Sequence, residues 1–511
     1  MSALSQYFSP ADYLLALPMV MVTLFAIGVL LIDLLLPPEL KWVNPVTALV
    51  GLAFSGYSVL EIQRAYQLQG IAHGRSAFMG AMSMDHFAFY FFFLFLAGTA
   101  IAILMSMHYL EIEKESHGEF YALMLFSVVG MMCMAAGNDI VLIFIGLELM
   151  AISTYVLVGF LRRDKRSNEA ALKYFLLGAF SSGIFAYGLS LFYGMTGSTN
   201  LHDIYVGLNE RIAANQGKID PIAIIALLTT ATGLLFKIAA VPFHQWAPDA
   251  YEGAPTSVTG FMSVAVKAAG WAMLLRIIAM MTPLRPVYVP LLVFVSIATM
   301  TGANFAALTQ TNLKRLLAYS SIAHVGYMLL GLVAGTAYNL NPDGLKGILI
   351  YLLVYTFMNL GAFAVITSLR ERNVVGDELD DIAGLYFRQP TEAVLMLVFL
   401  LSLAGIPPLA GFWGKYFIFL SLIESGHYAL ASLAVLYSVF GLYYYLRIAN
   451  AMFMRQPLEA TRLPVSFAMR VAVGVTALAT LVIGIYPNPF IQLVNWSLGL
   501  TQVTPVASLV R

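Results

Sequence analysis

The sequence predicts an all-α polytopic membrane protein of about fourteen transmembrane helices, and three observations carry that prediction. Over 511 residues, 60% are apolar and only 11% are charged, too few charges to coat an ordinary soluble surface. Apolar runs of about 20 residues, the length that crosses a ~30 Å hydrocarbon core, recur along the whole chain. No Gly/Ser linker divides it, and the longest polar stretch, Thr196 to Asp220, is too short to be a domain. One transmembrane domain over 1–511 is therefore expected.

The first run, Tyr13 to Leu36, has no basic flank before it and no small-residue cleavage site after it. It reads as a retained first helix over 12–36. Helices are then expected at 43–62, 84–109, 119–136, 139–160, 169–195 and 221–241. The rest are placed at 256–281, 287–309, 315–336, 345–369, 391–424, 428–454 and 465–492. The seventh and twelfth are interrupted in sequence: Pro242, Pro248 and Pro255 follow one, and Pro407 and Pro408 divide the other. Both are expected to be broken helices.

Basic residues cluster in alternate loops. Arg162, Arg163, Lys165 and Arg166 follow the fifth helix, Lys314 and Arg315 the ninth, and Arg370, Arg372 and Arg388 the eleventh. By the positive-inside rule these loops face the cytoplasm, which puts both termini on the periplasmic, outer side. Helices four to eight (119–282) and nine to thirteen (283–455) are expected to be two five-helix units of opposite orientation, each with its broken helix in fourth place. They are flanked by segments 1–118 and 456–511. An inverted repeat of this kind places an ion site where the repeats meet. The sequence echo is thin: Tyr155-Val-Leu-Val-Gly159 against Tyr327-Met-Leu-Leu-Gly331.

The charges inside the spans carry the functional reading, because a charge at bilayer depth costs a few kcal/mol and persists only inside a bundle or a wet cavity. Glu148 is central in DIVLIFIGLELMAISTYVLVGF and needs a partner; Lys237, in FKIAAVPFHQWAPD, is the natural one. At ~7 Å and an effective dielectric of ~20 their attraction is about 2.4 kcal/mol, so moving the glutamate alters the hold of Lys237 on its proton. Lys267 lies mid-span among Ala265, Ala268, Ala269 and Gly270, and Lys415 lies in AGIPPLAGFWGKYF. Neither has an obvious carboxylate mate. His324 would continue the row as a proton carrier, or else donate to a backbone carbonyl. Lys173, about a turn into the sixth helix, faces either Glu148 or the cytoplasmic boundary. His244, just after Pro242, fits a helix-break hydrogen-bonder better than a shuttle. Asp33, Asp85 and His86 sit near helix ends and read as interface markers.

Other chemistries fail on spacing. The single Cys133 has no mate for a disulfide or a cysteine-ligated cluster and reads as a small buried hydrophobe. His86 and His108 stand near opposite ends of one helix, not at the matched depth a haem needs. Gly411-Phe-Trp-Gly414-Lys415 lacks the leading glycine of a phosphate loop and has Tyr416 in place of Ser/Thr. No metal or cofactor site is expected. A formal net charge of zero with no basic run argues against nucleic acid.

Three stretches, GLLFKIAAVPFHQWAPDAYEGAPTSVTGFMSVAVKAAG, LKRLLAYSSIAHVGYMLLGL and LAGIPPLAGFWGKYFIF, resemble the antiporter-like membrane subunits of proton-pumping NADH-quinone oxidoreductase, respiratory complex I. The resemblance covers most of helices four to thirteen. Within that group NEAALKYFLLGAFSSGIFAYGLSLFYGMTGSTNL is similar to the subunit N branch, and the chain ends without the lateral helix typical of subunit L. The resemblance implies that Glu148, Lys237, Lys267 and Lys415 are the proton-transfer residues of the fifth, seventh, eighth and twelfth helices. It implies a translocase subunit of the bacterial inner membrane, beside subunit M on one side and subunits K, J and A on the other. NADH, FMN, iron–sulfur clusters and quinone would belong to partner subunits, and none to this chain. Two other classes fit the same residues: a cation/proton antiporter subunit outside complex I, and a non-pumping spacer of the membrane arm.

Overall fold

The computed structural model describes residues 9–71, 74–336, 342–370, 376–457 and 465–499. Arg372, one of the orientation-marking bases, lies outside these residues. The chain opens with a short α1 (Pro10–Leu15), followed by α2 (Leu17–Leu35), α3 (Val43–Gln69), α4 (His86–Glu113), α5 (Gly118–Ala136), α6 (Ile140–Val158) and α7 (Lys165–Thr196). A short α8 (Leu201–Ala214) precedes α9 (Pro221–Lys237), α10 (Trp246–Gly253), α11 (Thr256–Phe261) and α12 (Lys267–Met280). The second half contains α13 (Arg285–Thr309), α14 (Leu313–Thr336), α15 (Pro342–Ser368), α16 (Leu385–Arg388), α17 (Pro390–Ala404) and α18 (Ala410–Glu424). It closes with α19 (Tyr428–Met454), α20 (Phe467–Ile485) and α21 (Asn488–Ser497).

Among the described residues, twelve helices are long and apolar enough to cross a membrane, and two shorter apolar helices, Pro221–Lys237 and Pro390–Ala404, lie where the sequence predicts breaks. This is an all-α polytopic membrane fold. The best window of the α11–α12 span is 100% buried, and those of α14 and α15 are 94% buried, against 28% for α2 and 33% for α7 and α19. The inner helices are therefore those that carry Lys267 and His324, and the outer ones leave apolar side chains exposed on the surface of the bundle. Exposed Leu31, Phe180, Phe294 and Val439 are of that outward kind.

The structure corrects several local expectations. A two-stranded ribbon, Arg75–Ala77 with Met82–Met84, joins α3 to α4. The polar stretch before α9 contains α8, capped by the Asn200 side chain accepting from the His202 N–H at 2.9 Å. The predicted fourteenth helix stops at Ile485, where Tyr486-Pro487 separates it from α21. Lys314 is not a loop charge: it sits in the first turn of α14, is 3% exposed, and pairs with Asp377 at 3.0 Å while donating to the Ala254 carbonyl at 3.0 Å. Burial pushes the Asp377 carboxyl, in the loop beyond α15, above its ordinary range despite the Lys314 ammonium beside it. Asp85 does more than mark an interface. It caps α4 and forms an ion pair with Arg276 of α12 at 2.8 Å, whose Nε donates to the Ala135 carbonyl at 3.0 Å.

Candidate functional site

Both broken helices end their first half in the same way. At α9 the Ala239 N–H bonds back to the Phe236 carbonyl at 3.0 Å and the Ala240 N–H to Leu235 at 2.9 Å, with Ala239 left-handed at φ 60. At α17 the Gly405 N–H bonds to Ser402 at 2.9 Å and the Ile406 N–H to Leu401 at 3.1 Å, with Gly405 at φ 88. These are paired 5→2 and 6→1 helix-ending bonds around a left-handed residue. They leave a carbonyl end, with its partial negative charge, inside the membrane at each break.

That end is where the lysines gather. Lys237 is the last residue of α9 and is 4% exposed. Lys415 belongs to α18, yet its Nζ reaches back across the break and donates to the Ala404 carbonyl, the last of α17, at 2.7 Å. A β-carbon on Gly405 would stand 2.8 Å from Lys415 Cδ, so the glycine supplies both the positive φ and the room for this return. Gly270 of α12 is the counterpart for Lys237: a β-carbon there would meet Lys237 Cγ at 3.3 Å.

Lys237 and Glu148 make no direct bond. Glu148 Oε1 is buried and has no hydrogen-bond partner among the described residues, and Lys237 Nζ lies 6.0 Å from the centre of the Tyr174 ring. Tyr174 stacks on Trp246 of α10 at 4.5 Å, and Trp246 Nε1 donates to the Phe236 carbonyl at 2.9 Å, so α10 folds back onto the end of α9. A small cavity between α6, α7 and α9 reaches Lys237 past Leu147, Ser181 and Phe185.

Lys267 begins α12 immediately after a π-helical segment, Met262–Val266, a local widening frequent at functional sites. Its Nζ donates to Ser321 Oγ of α14, and it lies 6.0 Å from the Tyr251 ring. One turn on, His324 is bonded at both ring nitrogens: Nδ1 to the Tyr351 hydroxyl at 2.5 Å and Nε2 to the Tyr445 hydroxyl at 3.0 Å. Tyr445 also bonds Ser320. Of the two roles open to His324, the carbonyl donor is thus not the one realised. Tyr327 of the same helix presents its ring to Lys415 Nζ at 5.1 Å from the centroid. Ser321, Tyr351 and Tyr445 were not legible as site residues. The one available signal was Ser320 and Ser321 standing one turn from His324 on a helix.

Lys173 resolves toward the boundary. It pairs with Glu169 at 2.8 Å and Asp249 at 3.0 Å, and Asp249 with Glu252 also holds Arg315 of α14 at 2.7 and 2.9 Å. His244 lies in the turn between α9 and α10, where its buried Nδ1 has no hydrogen bond of good geometry among the described residues and its carbonyl accepts from the Ala247 N–H. Cys133 is a free thiol, half-buried in α5.

The row therefore runs from Glu148 and Lys237 through Lys267, Ser321 and His324 to Lys415. No hydrogen bond among the described residues joins Lys237 to Lys267 or Tyr351 to Lys415.

A family model described as "NADH:quinone oxidoreductase/Mrp antiporter, TM" matches residues 137–441, which span both breaks and every lysine of the row. The chain belongs to this family. A relative named NADH-quinone oxidoreductase subunit N 1, from Koribacter versatilis, is 64% identical over 514 residues, covering 100% of both chains. Among solved structures, a chain of respiratory complex I from Thermus thermophilus with bound aureothin matches with a TM-score of 0.76 and 33% identity, over 93% of this chain and 98% of that one. A chain of the Mrp complex from Dietzia, 21% identical with a TM-score of 0.77 over 97% and 100% of the two chains, shares the fold. The family's antiporter-like fold is thus what places the two carbonyl-ended breaks in one bundle.

Proposed function

We propose that this chain is a proton-translocating membrane subunit of an NADH:quinone oxidoreductase, and that its protons move along the buried Glu148–Lys237–Lys267–His324–Lys415 row. The observation that carries the reading is three lysines, each at most 6% exposed, with no carboxylate within ion-pair distance among the described residues. Such cations persist in a bundle interior only where they are used, and they commonly mark proton relays. Likeness to the subunit N relative supplies the complex.

In this reading displacement of Glu148 by a neighbouring subunit changes the field at Lys237, which exchanges its proton with Lys267. His324 and its two tyrosines then pass the proton toward Lys415. Lys173, held by two carboxylates, and His244, in the turn, flank the path. The chain sits in the bacterial inner membrane with fourteen crossings, counting each broken helix once, and with both termini outside. Subunit M lies on one side and subunits K, J and A on the other, and NADH, FMN, iron–sulfur clusters and quinone are held by partner subunits. The matching break geometry supports the two inverted repeats, 119–282 and 283–455.

The test is proton pumping per NADH oxidised in vesicles carrying the whole complex with Lys237→Ala, after a native gel confirms assembly. Loss of pumping in an intact complex is expected; unchanged pumping would make Lys237 a packing charge and favour the spacer. Lys267→Met that pumps fully would remove the central step. Sodium–proton exchange by the purified chain without a redox substrate would instead favour the antiporter class named in the family description.

A further inference from the structure

Lys314 is as buried as the three lysines of the row, each being at most 6% exposed, yet it alone of these four is paired with a carboxylate, Asp377 at 3.0 Å. An ammonium neutralised in this way is held in place, because giving up its proton would strand a buried carboxylate. Its second bond shows what it holds. Nζ donates at 3.0 Å to the carbonyl of Ala254, the residue that ends α10. That carbonyl is one of the unpaired acceptors a helix leaves at its C-terminus, where partial negative charge favours a cation. Asp377 is fixed in turn: its carbonyl accepts from the Leu313 N–H at 2.6 Å, and the Leu379 N–H bonds to Thr311 at 2.9 Å. Next along α14, Arg315 holds Asp249 and Glu252 of α10. Two successive residues of α14 thus grip one short helix of the first half, one by its end and one by its side chains.

The gripped helix is a strut of 8 residues, about 12 Å long. Its other end is fastened to α9, where Trp246 Nε1 donates to the carbonyl of Phe236, the residue before Lys237. On α14, Ser321 stands two turns beyond Lys314 on the same face, and it receives the Lys267 ammonium. The strut therefore runs from the helix end that carries Lys237 to the helix that receives Lys267. We propose that Lys314 is a positioning residue of the translocation path: it pins α10 to α14, so that the end of α9 and the α14 face bearing Ser321 shift as one body. The inference rests on the proton row proposed above and gives Lys314 no proton to carry. A displacement at Lys237 then reaches Lys267 through packed backbone, with no polar chain needed between the two lysines.

The experiment uses the assembled complex in lipid vesicles with two readouts, hydrogen exchange of the α10 backbone and protons pumped per NADH oxidised. Lys314→Met combined with Asp377→Leu removes the pair without stranding a buried charge, a replacement that buried ion pairs commonly tolerate. Exchange in α10 is expected to rise by about tenfold, as for loss of one hydrogen bond to a charged group, and the proton yield to fall while NADH oxidation continues. Lys314→Arg, which keeps the charge and the donors, should retain both values. Trp246→Phe, which unfastens the other end of α10 and alters no charge, should reproduce both changes, and it decides the matter if the pair variant does not assemble. Faster exchange with an unchanged proton yield would overturn the proposal and leave Lys314 a structural tie. Unchanged exchange would overturn it by showing that Lys314 does not hold α10. Lys237→Ala run alongside separates the two readings. If it pumps normally, the row and the strut fall together; if it is impaired while the pair variant pumps normally, only the strut is removed.

Discussion

The two breaks share a backbone and differ in how they obtain their lysine. Setting Ala239 beside Gly405 aligns both sets of helix-ending bonds and brings Pro242 opposite Pro408. From that register Lys237 comes from the helix that ends, and Lys415 from the helix that begins. The lysines therefore look mismatched along the chain and equivalent in space, since what is repeated is a carbonyl end that accommodates an ammonium. The residue that turns the corner follows from this difference. At the second break the Lys415 stem passes over the corner, where Gly405 leaves room for it, whereas at the first Lys237 does not return across the break and the corner residue is Ala239 at a positive φ. The first break instead has an ion-paired α10 behind it, and in the proposed function it is the end that responds to displacement of Glu148.

Lys415→Ala should test the comparison most severely. If the carbonyl-docked lysine is a transfer group, coupled pumping falls by about 10²-fold or more while the complex assembles, as expected for loss of a positioned proton carrier. Proton flux in sealed vesicles checks this, and a complex that pumps normally would make the Ala404 contact purely structural.

Next is Gly405→Ala, which places a β-carbon against Lys415 Cδ and a side chain in the left-handed region, at a cost of about 1–3 kcal/mol. A lower thermal midpoint of the solubilised complex and impaired pumping should appear together. Arg315→Ala, which removes its pairs to Asp249 and Glu252 at the first break and leaves Asp249 with Lys173, is expected to cost about 1–2 kcal/mol, because the pairs are partly exposed. Its midpoint should fall, and a coupled pumping defect should appear only if α10 positions Lys237 through Trp246. The smallest effect is Ala239→Gly, which relieves a left-handed alanine and should raise stability by up to about 1 kcal/mol with pumping unchanged. A loss of stability there would show that the two corners are not equivalent.

Much of this fold is legible in the sequence. Helix positions followed from the length of apolar runs, because in lipid a spanning segment must satisfy its backbone internally. Glu148, Lys237, Lys267 and Lys415 stood out because a charge in an apolar run is conspicuous. The unread parts share a cause. Lys415 bonds to a main-chain oxygen, which no side-chain pattern marks. Ser321, Tyr351 and Tyr445 are neutral polar residues of a kind common in membrane helices, so only spatial convergence on His324 and Lys267 distinguishes them. Arg276, which no motif marks, is 1% exposed and tied to Asp85, far away in sequence. The ribbon at 75–84 is too short for alternation to register.

The double bonding of His324 carries one further consequence. A neutral imidazole has one N–H and one lone pair, so in either tautomer one of Tyr351 and Tyr445 must donate to the ring and the other accept from it. A proton that enters at one nitrogen and leaves by the other swaps those roles, and both hydroxyls end each passage pointing the opposite way. Were a proton to pass through the ring as proposed, a second could follow in the same direction only after the ring had regained its first tautomer and both tyrosine hydroxyls had rotated back, like a turnstile that must be reset between passages, and that resetting is a separate event from the transfer itself.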